Sequence, residues 1–364
     1  MNIRSASFRD LARIEELYRD TIDESSGVAP MAQDSPVPQA TLLRLWYALT
    51  KSLSSLVPIT DSGDALLVAE DAKEGVVGFI QAQAPPGRSN AWQILNLCTT
   101  ATARGHFARE RLIAELRNRG LSVGVHRFNV RVPVGHPLVS VFLEHGFTQL
   151  ATEQILFRDE SPAAQGDARP QAVLRPARRD DIGAIYLLYQ RTTPSNVAGF
   201  EGPSLKAWQV AYAQGLMARM GRDEVKHYVA ENPGCVAWAS IRPPSVTQPT
   251  ILTLMCEGHD PTLRDTVIDA VLRELPAGPA VCVLRHYDSE LIRALQQRGF
   301  AVYGTQLLLV CDLGAKVRLK QAATRKKPVL VHAGVAQSVP AGKHPAALRV
   351  LTSAAERGEG SRAG

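Results

Sequence analysis

The chain has 364 residues, 45% of them hydrophobic and 21% charged, and a formal net charge of +6. This composition is typical of a soluble globular protein with room for two domains, each able to bury its own core. No apolar run reaches the roughly 18 residues that a membrane-spanning helix requires, and the amino terminus lacks a signal-peptide pattern. We therefore expect no membrane span and a cytoplasmic location.

The spacing of apolar and turn residues predicts a mixed α/β pattern in the first half of the chain. Leu11, Ile14 and Leu17 form an apolar stripe at helical spacing, and Asp10 stands where an N-cap belongs. In chain order we expect strand 2–8, helix 10–22, helix 38–53, strands 65–71, 76–84 and 91–99, helix 108–119, strand 122–132, helix 136–145 and strand 147–158.

A polar segment rich in Pro and Ala, 159–171, has no periodicity and predicts a linker between domain 1–158 and domain 172–313. The second domain repeats the order of the first. We expect strand 172–177, helices 181–192 and 204–220, strands 225–231, 235–242 and 250–257, helix 262–275, strand 280–287, helix 289–298 and strand 300–313.

The last segment, 314–364, is a basic tail with ten Lys or Arg and two Glu. The rest of the chain has a net charge of −2, so the domains do not have the charge of a nucleic-acid-binding protein. The tail contains no Phe, Tyr or Trp, and we expect most of it to be disordered. It either contacts nucleic acid or an acidic surface through unspecific electrostatics, or serves solubility only.

Cysteine and histidine positions do not predict a metal site. The five cysteines lie in strand-like apolar runs, which indicates reduced core residues: Cys98, Cys235, Cys256, Cys282 and Cys311. Glu257 and His259 form an acid–imidazole pair, but no third ligand stands at a useful spacing.

Several short sequences occur twice in the same order. Asp10 matches Asp181 at an interval of 171 residues, and Val68-Ala69-Glu70 matches Val229-Ala230-Glu231 at an interval of 161. Gly146-Phe147 matches Gly299-Phe300 at an interval of 153, so the interval shrinks along the chain. A repeat of about 150 residues is longer than a solenoid unit, so each copy should be a whole domain.

This order of elements resembles the GNAT acyltransferase fold across residues 2–158 and 172–313. Ile3-Arg4-Ser5-Ala6 before an Asp-capped helix is similar to the start of that fold, and the Gly-Phe before each final strand is similar to its end. The resemblance implies two tandem GNAT-like domains, each a mixed, mostly antiparallel sheet flanked by helices.

The resemblance also implies acyl transfer from an acyl-CoA, with acetyl-CoA the first choice, to an amine. In the family the fourth strand splays from the fifth to admit the pantetheine arm, and the turn into the next helix offers N–H groups to the pyrophosphate. In the first domain the corresponding residues, and hence the candidate cofactor-binding residues, are Thr99, Arg104, Gly105, His106, Phe107, Ala108 and Arg109.

The cofactor turn departs from the family pattern in both copies. With Arg104-Gly105 in the family register, Phe107 and Arg109 replace two glycines, and Phe107 would crowd the phosphates; a shifted register with Gly105 as the first glycine remains open. In the second copy, Glu257 and Asp260 would repel a pyrophosphate, so we expect domain 2 to be structural.

The catalytic residues are not evident from the sequence. The tyrosine that family members often place four residues before Gly-Phe, to protonate the leaving thiolate, is replaced by Phe142 and Leu295. The weak candidates are Glu70 as a base and His136 as an acid, although the first could be a solvated strand end and the second a helix cap. The further candidates are His126 and Tyr287 as acids, Glu231 as the match of Glu70, and the matched pair Trp46 and Trp208 as pocket wall or core.

Two functions remain open from the sequence. The chain is either an acyl-CoA-dependent N-acyltransferase that uses domain 1 on an unknown small-molecule or peptide amine, or a non-catalytic binding or scaffolding protein with a tandem GNAT fold. Fold alone does not decide between them.

Overall fold

The computed structural model describes residues 1–24, 64–85, 90–159, 174–202, 204–209, 225–232, 234–244, 249–257 and 260–314. All of them belong to one compact unit, Met1–Leu319. Several predicted features lie outside the described residues: helix 38–53 with Trp46, most of the linker, most of helix 204–220, His259, and the basic tail beyond Gly314. None of the described helices is both long and apolar enough to cross a bilayer.

The first half of the chain contains six strands and three helices among its described residues. They are β1 (Asn2–Ser5), α1 (Leu11–Glu24), β2 (Ala65–Asp71), β3 (Gly75–Gln83), β4 (Ala91–Thr99), α2 (Ala103–Ser122), β5 (Arg127–Pro133), α3 (Leu138–Glu144) and β6 (Thr148–Arg158).

The second half repeats this order and adds one short helix, α5, that the sequence pattern did not predict. Its elements are β7 (Leu174–Pro176), α4 (Ile182–Thr192), α5 (Ser195–Glu201), β8 (Lys226–Glu231), β9 (Cys235–Arg242), β10 (Thr250–Cys256), α6 (Pro261–Arg273), β11 (Ala280–Arg285), α7 (Ser289–Gln296) and β12 (Ala301–Asp312).

The predicted boundaries differ by five residues at two places: α2 begins at Ala103 rather than at 108, and β5 begins at Arg127 rather than at 122, because α2 continues to Ser122. The Thr102 hydroxyl caps the helix by accepting the Gly105 N–H at 3.2 Å, so the turn after β4 is shorter than predicted. Residues 104–109 therefore belong to the first two helical turns and not to a loop.

The described strands form one continuous sheet in the order β1-β2-β3-β4-β5-β12-β6-β11-β10-β9-β8-β7. Only β4–β5 and β10–β11 are parallel pairs, so the predicted mixed, mostly antiparallel architecture is confirmed. The last strand of the second half, β12, lies between β5 and β6, and β6 lies between β12 and β11. The two halves thus exchange their final strands, which the sequence pattern did not predict.

Helices pack on both faces of the sheet. Because neighbouring strand residues point to opposite faces, Phe79 of β3 packs with Ile14 and Leu17 of α1, whereas Ile80 packs in the cluster that contains Leu112 of α2. The five cysteines are buried and form no disulfide among the described residues, as predicted for core residues.

A clamp of one arginine and two carboxylates joins β1, β2 and the start of α1. The Arg4 guanidinium donates to both Asp10 carboxylate oxygens, at 2.7 and 2.9 Å, and to Glu70 at 2.8 Å. Asp10 also accepts the N–H and the hydroxyl of Ser7. Arg4 therefore ties the first helix to the edge of the sheet, and Glu70 is part of this structural contact.

The second half has the same clamp, built from Arg175, Asp181 and Glu231. Asp181 accepts the Arg178 N–H at 2.6 Å but has no serine hydroxyl. Its side chain is 14% exposed against 7% for Asp10, so the first clamp is the better shielded.

The Asp10→Ala variant should lower the free energy of unfolding by about 2–4 kcal/mol, because it removes two of the three carboxylate hydrogen bonds of Arg4 and leaves the Ser7 N–H without its acceptor. The hydrogen bond from Arg4 holds the pKa of Asp10 well below its ordinary value of 3.8, against the opposing effect of burial. This stabilisation is complete above pH 3.8 and is lost as the pH falls through the folded-state pKa. Urea denaturation followed by circular dichroism, at neutral and acidic pH, measures both effects.

Two variants calibrate this measurement. Asp181→Ala should cost less than Asp10→Ala, and Glu15→Gln, which removes an exposed contact with Arg19, should change stability by no more than about 0.5 kcal/mol. An Asp10→Ala cost as small as that of Glu15→Gln would contradict the assignment of the clamp.

The strand exchange predicts that residues 1–158 alone do not form a folded monomer. Without β12, neither β5 nor the inner edge of β6 has its neighbour, and two sheet edges are exposed. We expect aggregation or a strand-exchanged dimer in light scattering, whereas residues 1–319 should melt in one calorimetric transition. A monomeric fragment 1–158 with cooperative melting would contradict this prediction.

Candidate functional site

Each half contains a slot between its two parallel strands. β4 and β5 pair only from Ala91–Ile94 to Arg127–Val130, although β4 continues to Thr99 and β5 to Pro133. In the second half, pairing of β10 and β11 ends at Leu252 and Cys282, and β10 continues to Cys256. Both slots open toward the carboxyl ends of the strands, as the resemblance implied for the first half.

The first slot differs from the second by a β-bulge. Along β3, Gln81 and Ala82 stand opposite Asn96 and Ile94, so Leu95 is an extra residue in β4. The register between β9 and β10 shows no such shift. Bulges increase local twist and often lie next to active sites, so this bulge contributes to the divergence of β4 from β5.

The amino terminus of α2 lies at the open end of the first slot. Helix geometry leaves the N–H groups of its first residues, Ala103 and Arg104, without an acceptor within the helix. A Cβ at Gly105 would lie 1.9 Å from the carbonyl oxygen of Thr100. Gly105 therefore allows the first turn of the helix to lie directly against the end of β4.

The two arginines predicted to bind the cofactor have different environments. Arg104 makes ion pairs with Asp71 and, at 3.2 Å, with Glu74, so its charge is already compensated. Arg109 is only 8% exposed and donates to the Thr99 hydroxyl at 3.1 Å. No carboxylate among the described residues pairs with Arg109, and burial lowers its pKa.

The other predicted cofactor-binding residues, 105–108, differ in how far they are exposed to solvent. Gly105 and Ala108 are buried, and His106 is exposed. Phe107 is 52% exposed on the first turn, with the Arg111 guanidinium 5.8 Å from its ring centre. Among these residues, the structure brings Thr99 and Arg109 into direct contact.

Arg109 has an equivalent in the second half. The buried positions Arg109, Leu112, Ile113 and Leu116 of α2 match Arg264, Val267, Ile268 and Val271 of α6. The Arg264 guanidinium is paired with Glu290 at 3.1 Å. The residue that precedes Glu290 by the 153-residue repeat interval is Pro137, which supplies no charge to Arg109.

The second slot has a closed helix terminus. The Asp260 carboxylate accepts the N–H groups of Thr262 at 2.9 Å and Leu263 at 3.3 Å, and Pro261 has no N–H. Glu257 is paired with Arg191 at 2.6 Å nearby. The helix start that the sequence predicted here leaves no free cradle for a phosphate.

The two weak catalytic candidates both make structural contacts. Glu70 is held by Arg4, as described above. His136 is 7% exposed, and its Nδ1 accepts the Leu138 N–H at 3.2 Å at the start of α3. Phe142, which stands in place of the tyrosine, is fully buried in the core.

Other predicted candidates also have partners or packing roles. Glu231 belongs to the second clamp, and Nδ1 of His126 lies 3.3 Å from the Gly124 carbonyl oxygen. Trp208 packs on Tyr189 and Trp238, with ring centres 5.9 and 5.6 Å apart. No cluster of three metal-ligating side chains occurs among the described residues.

A cavity of about 510 Å³ lies over the central strands and extends into the second slot. Five consecutive strands, β4, β5, β12, β6 and β11, each contribute one polar side chain to it: Gln93, Arg131, Gln306, Glu153 and Arg285. Because the halves meet at these strands, both supply its lining. The sequence pattern did not indicate this cavity, since it depends on the strand exchange.

Glu153 is the centre of a charge network under the cavity. It is 2% exposed, accepts from Arg131 at 2.8 Å and from the Gln306 amide at 2.8 Å, and lies 3.4 Å from Arg285. Burial alone would raise the pKa of Glu153, but the two guanidinium groups and the amide hold it below its usual range. Arg285 is also paired with Glu201 at 2.6 Å.

Tyr287 and Asp288 line the cavity just beyond β11. The Tyr287 hydroxyl lies 3.1 Å from the Arg285 guanidinium, and burial raises the pKa of this phenol. Burial also raises the pKa of Asp288 to about 6. Of the candidate acids named from the sequence, Tyr287 is the one that lines this cavity.

Comparison with solved structures identifies the fold. A glucosamine N-acetyltransferase region of a fungal multi-domain β-N-acetylglucosaminidase superposes with a TM-score of 0.55 at 12% identity, covering 85% of this chain and 38% of that one. A tandem GNAT protein from the clavulanic acid biosynthesis pathway gives 0.53 at 15% identity, covering 86% and 98%. A GCN5-related N-acetyltransferase from Sphaerobacter thermophilus gives 0.51 at 11% identity, covering 86% and 95%.

These similarities confirm the predicted fold, two GNAT-like halves in tandem. The chain spans less than half the length of the fungal protein and nearly the whole of the other two. No protein-family model and no curated protein matches the sequence.

The Gly105→Ala variant should lower the free energy of unfolding by about 2–4 kcal/mol, because its Cβ would force α2 away from the end of β4. Gly183→Ala on α4 is the matched control. A Cβ there meets nothing within 4 Å, so this variant should be neutral or stabilise by up to about 1 kcal/mol. Urea denaturation compares the two, and equal effects would contradict the close contact at Gly105.

Proposed function

We propose that this chain, which has the tandem GNAT fold, is an acyl-CoA-dependent N-acyltransferase whose donor slot is in the first half. Acetyl-CoA is the proposed donor, and the acceptor is a small-molecule or peptide amine. The donor would supply a thioester carbonyl activated for attack by the amine. The second half contributes structure to the first through β12.

The observation that carries this proposal is the uncompensated charge of Arg109. A buried guanidinium without a carboxylate partner is costly unless an anion compensates it. In the second half the equivalent Arg264 is compensated by Glu290, so the difference is specific to the first slot. A pyrophosphate is an anion suited to the bidentate donors of an arginine.

Two further features of the first slot support the same assignment. The open N–H groups of Ala103 and Arg104 and the positive end of the α2 dipole favour a phosphate at this terminus. The bulge at Leu95 accompanies the separation of β4 from β5, which makes room for an extended ligand arm.

The structure also favours one alternative, a non-catalytic binding or scaffolding protein. Glu70 and His136 are engaged in structural contacts, and Phe142 cannot donate a proton to a thiolate. We therefore assign no residue of the first half as a general acid or base. A protein of this second kind either binds acyl-CoA or does not, but in both cases it transfers no acyl group.

We further propose a cytoplasmic location, and unspecific contact of the basic tail with nucleic acid or an acidic surface. Support comes from the five buried cysteines, which form no disulfide among the described residues, and from the ten Lys or Arg of the tail.

Calorimetric titration of acetyl-CoA into the full chain tests the donor site. Arg109→Met should weaken binding roughly 10- to 100-fold, because methionine is also long and unbranched but has no charge and no hydrogen-bond donor. Arg264→Met, the equivalent change in the second half, should leave the affinity unchanged. Folding of both variants is verified by circular dichroism.

The other outcomes are equally clear. Absence of binding at millimolar acetyl-CoA would overturn the proposed function, and binding that survives Arg109→Met would overturn the assignment of the site. If acetyl-CoA binds but no amine in a broad panel releases free thiol, the non-catalytic alternative is supported.

A further inference from the structure

The second slot remains open although its helix terminus is closed to phosphate. β10 and β11 separate after Leu252 and Cys282, yet the N–H groups at the start of α6 are occupied by Asp260. If the second slot bound no ligand, we would expect side chains to fill it, since empty cavities destabilise the folded state. Instead it continues into the cavity of about 510 Å³.

Part of the wall of this cavity is apolar and aromatic, beside the polar side chains described above. Ile251 and Met255, which share one face of β10, contribute to this wall, as do Tyr189 and Tyr287. Tyr189 is itself held by ring packing against Trp208. Such a lining, with a few convergent polar groups, is typical of sites for small organic molecules.

The charged side chains that line the cavity carry one uncompensated negative charge. Arg131 is paired with Glu153, and Arg285 is paired with Glu201 and Glu153. These two guanidinium groups and two carboxylates form a closed network. The third carboxyl group of the lining, Asp288, belongs to no ion pair among the described residues.

Asp288 accepts one long hydrogen bond, from its own turn, the Arg285 N–H at 3.4 Å. Its remaining acceptor capacity lies in the cavity lining beside Tyr287. The raised pKa of Asp288 reflects the same condition, since burial outweighs the opposing effects of Arg285 and His286. A carboxyl group in this situation favours a ligand that carries a positive charge and N–H donors.

We propose that the cavity in the second slot binds a small organic cation, a primary amine on an apolar or aromatic body, with Asp288 as the partner of the ammonium group. The terminus of α6 is unsuited to a phosphorylated ligand, because the Asp260 carboxylate already accepts the N–H groups of Thr262 and Leu263. The second half is then a ligand-binding domain as well as a structural partner. This site is independent of the donor slot at Arg109.

The test uses three probes with the same body, 2-phenylethylamine, 2-phenylethanol and 3-phenylpropionate, titrated into the full chain without acetyl-CoA. The amine should bind at least about 10-fold more tightly than the alcohol, and the carboxylate should not bind, because only the ammonium group complements Asp288. Asp288→Asn retains the shape and the acceptor for the Arg285 N–H, and it should remove the preference for the amine.

Three further variants make the result specific. Thr253→Phe on β10 places a ring in the cavity and should abolish binding of the amine. Asp260→Asn, which removes a carboxylate outside the cavity lining but still caps α6, should leave it unchanged within about 2-fold. Arg109→Met should also leave it unchanged, so a failure of the donor-site proposal and a failure of this one are distinguishable.

The proposal is overturned if the amine does not bind at millimolar concentration, if the alcohol or the carboxylate binds as tightly as the amine, or if Asp288→Asn retains the preference. Circular dichroism of each variant shows whether a loss of binding comes from loss of fold. If Asp288→Asn does not fold, Thr253→Phe decides, and full binding by that variant overturns the proposal.

Discussion

The antiparallel pairing of β6 with β12 is the contact on which the rest of the structure depends. Each of these strands ends one half of the chain and completes the sheet of the other, so the core of either half includes a strand from its neighbour. Glu153 and Gln306 face each other across this pair and occupy equivalent positions in the two copies. A glutamate opposite a glutamine gives a hydrogen bond, whereas two buried glutamates would repel each other.

The same pairing creates the polar surface beneath the cavity. In register, Glu153 stands between Gln306 on one side and Arg285 on the other, and Arg131 of β5 reaches it across β12. Buried charges persist only when paired and hydrogen-bonded, and this network satisfies that condition with groups from both halves. The cavity is therefore a property of the joined halves and belongs to neither copy alone.

The two slots have diverged by small changes at equivalent places. Each helix after the slot has a buried arginine, but only the second half supplies a glutamate to compensate it. Thr102 caps the first helix with a neutral hydroxyl, and Asp260 caps the second with a carboxylate. Among the described residues, the starts of the two helices thus differ by the lack of a carboxylate partner for Arg109 and by the presence of the Asp260 carboxylate. These differences underlie our proposal of an anion in the first slot, whereas the cation that we propose for the second slot is paired with Asp288.

The sequence by itself determined the order of helices and strands and the repeat, because these depend on local periodicity and on short matches within the chain. The resemblance of that order to the tandem GNAT fold followed from them. It did not determine where α2 begins, since the Thr102 cap and the contact of Gly105 with Thr100 decide that boundary. Only the tertiary structure decided the strand exchange, the partners of Glu70, and the difference between Arg109 and Arg264. Those depend on contacts between residues far apart in sequence, whose energies no local pattern records.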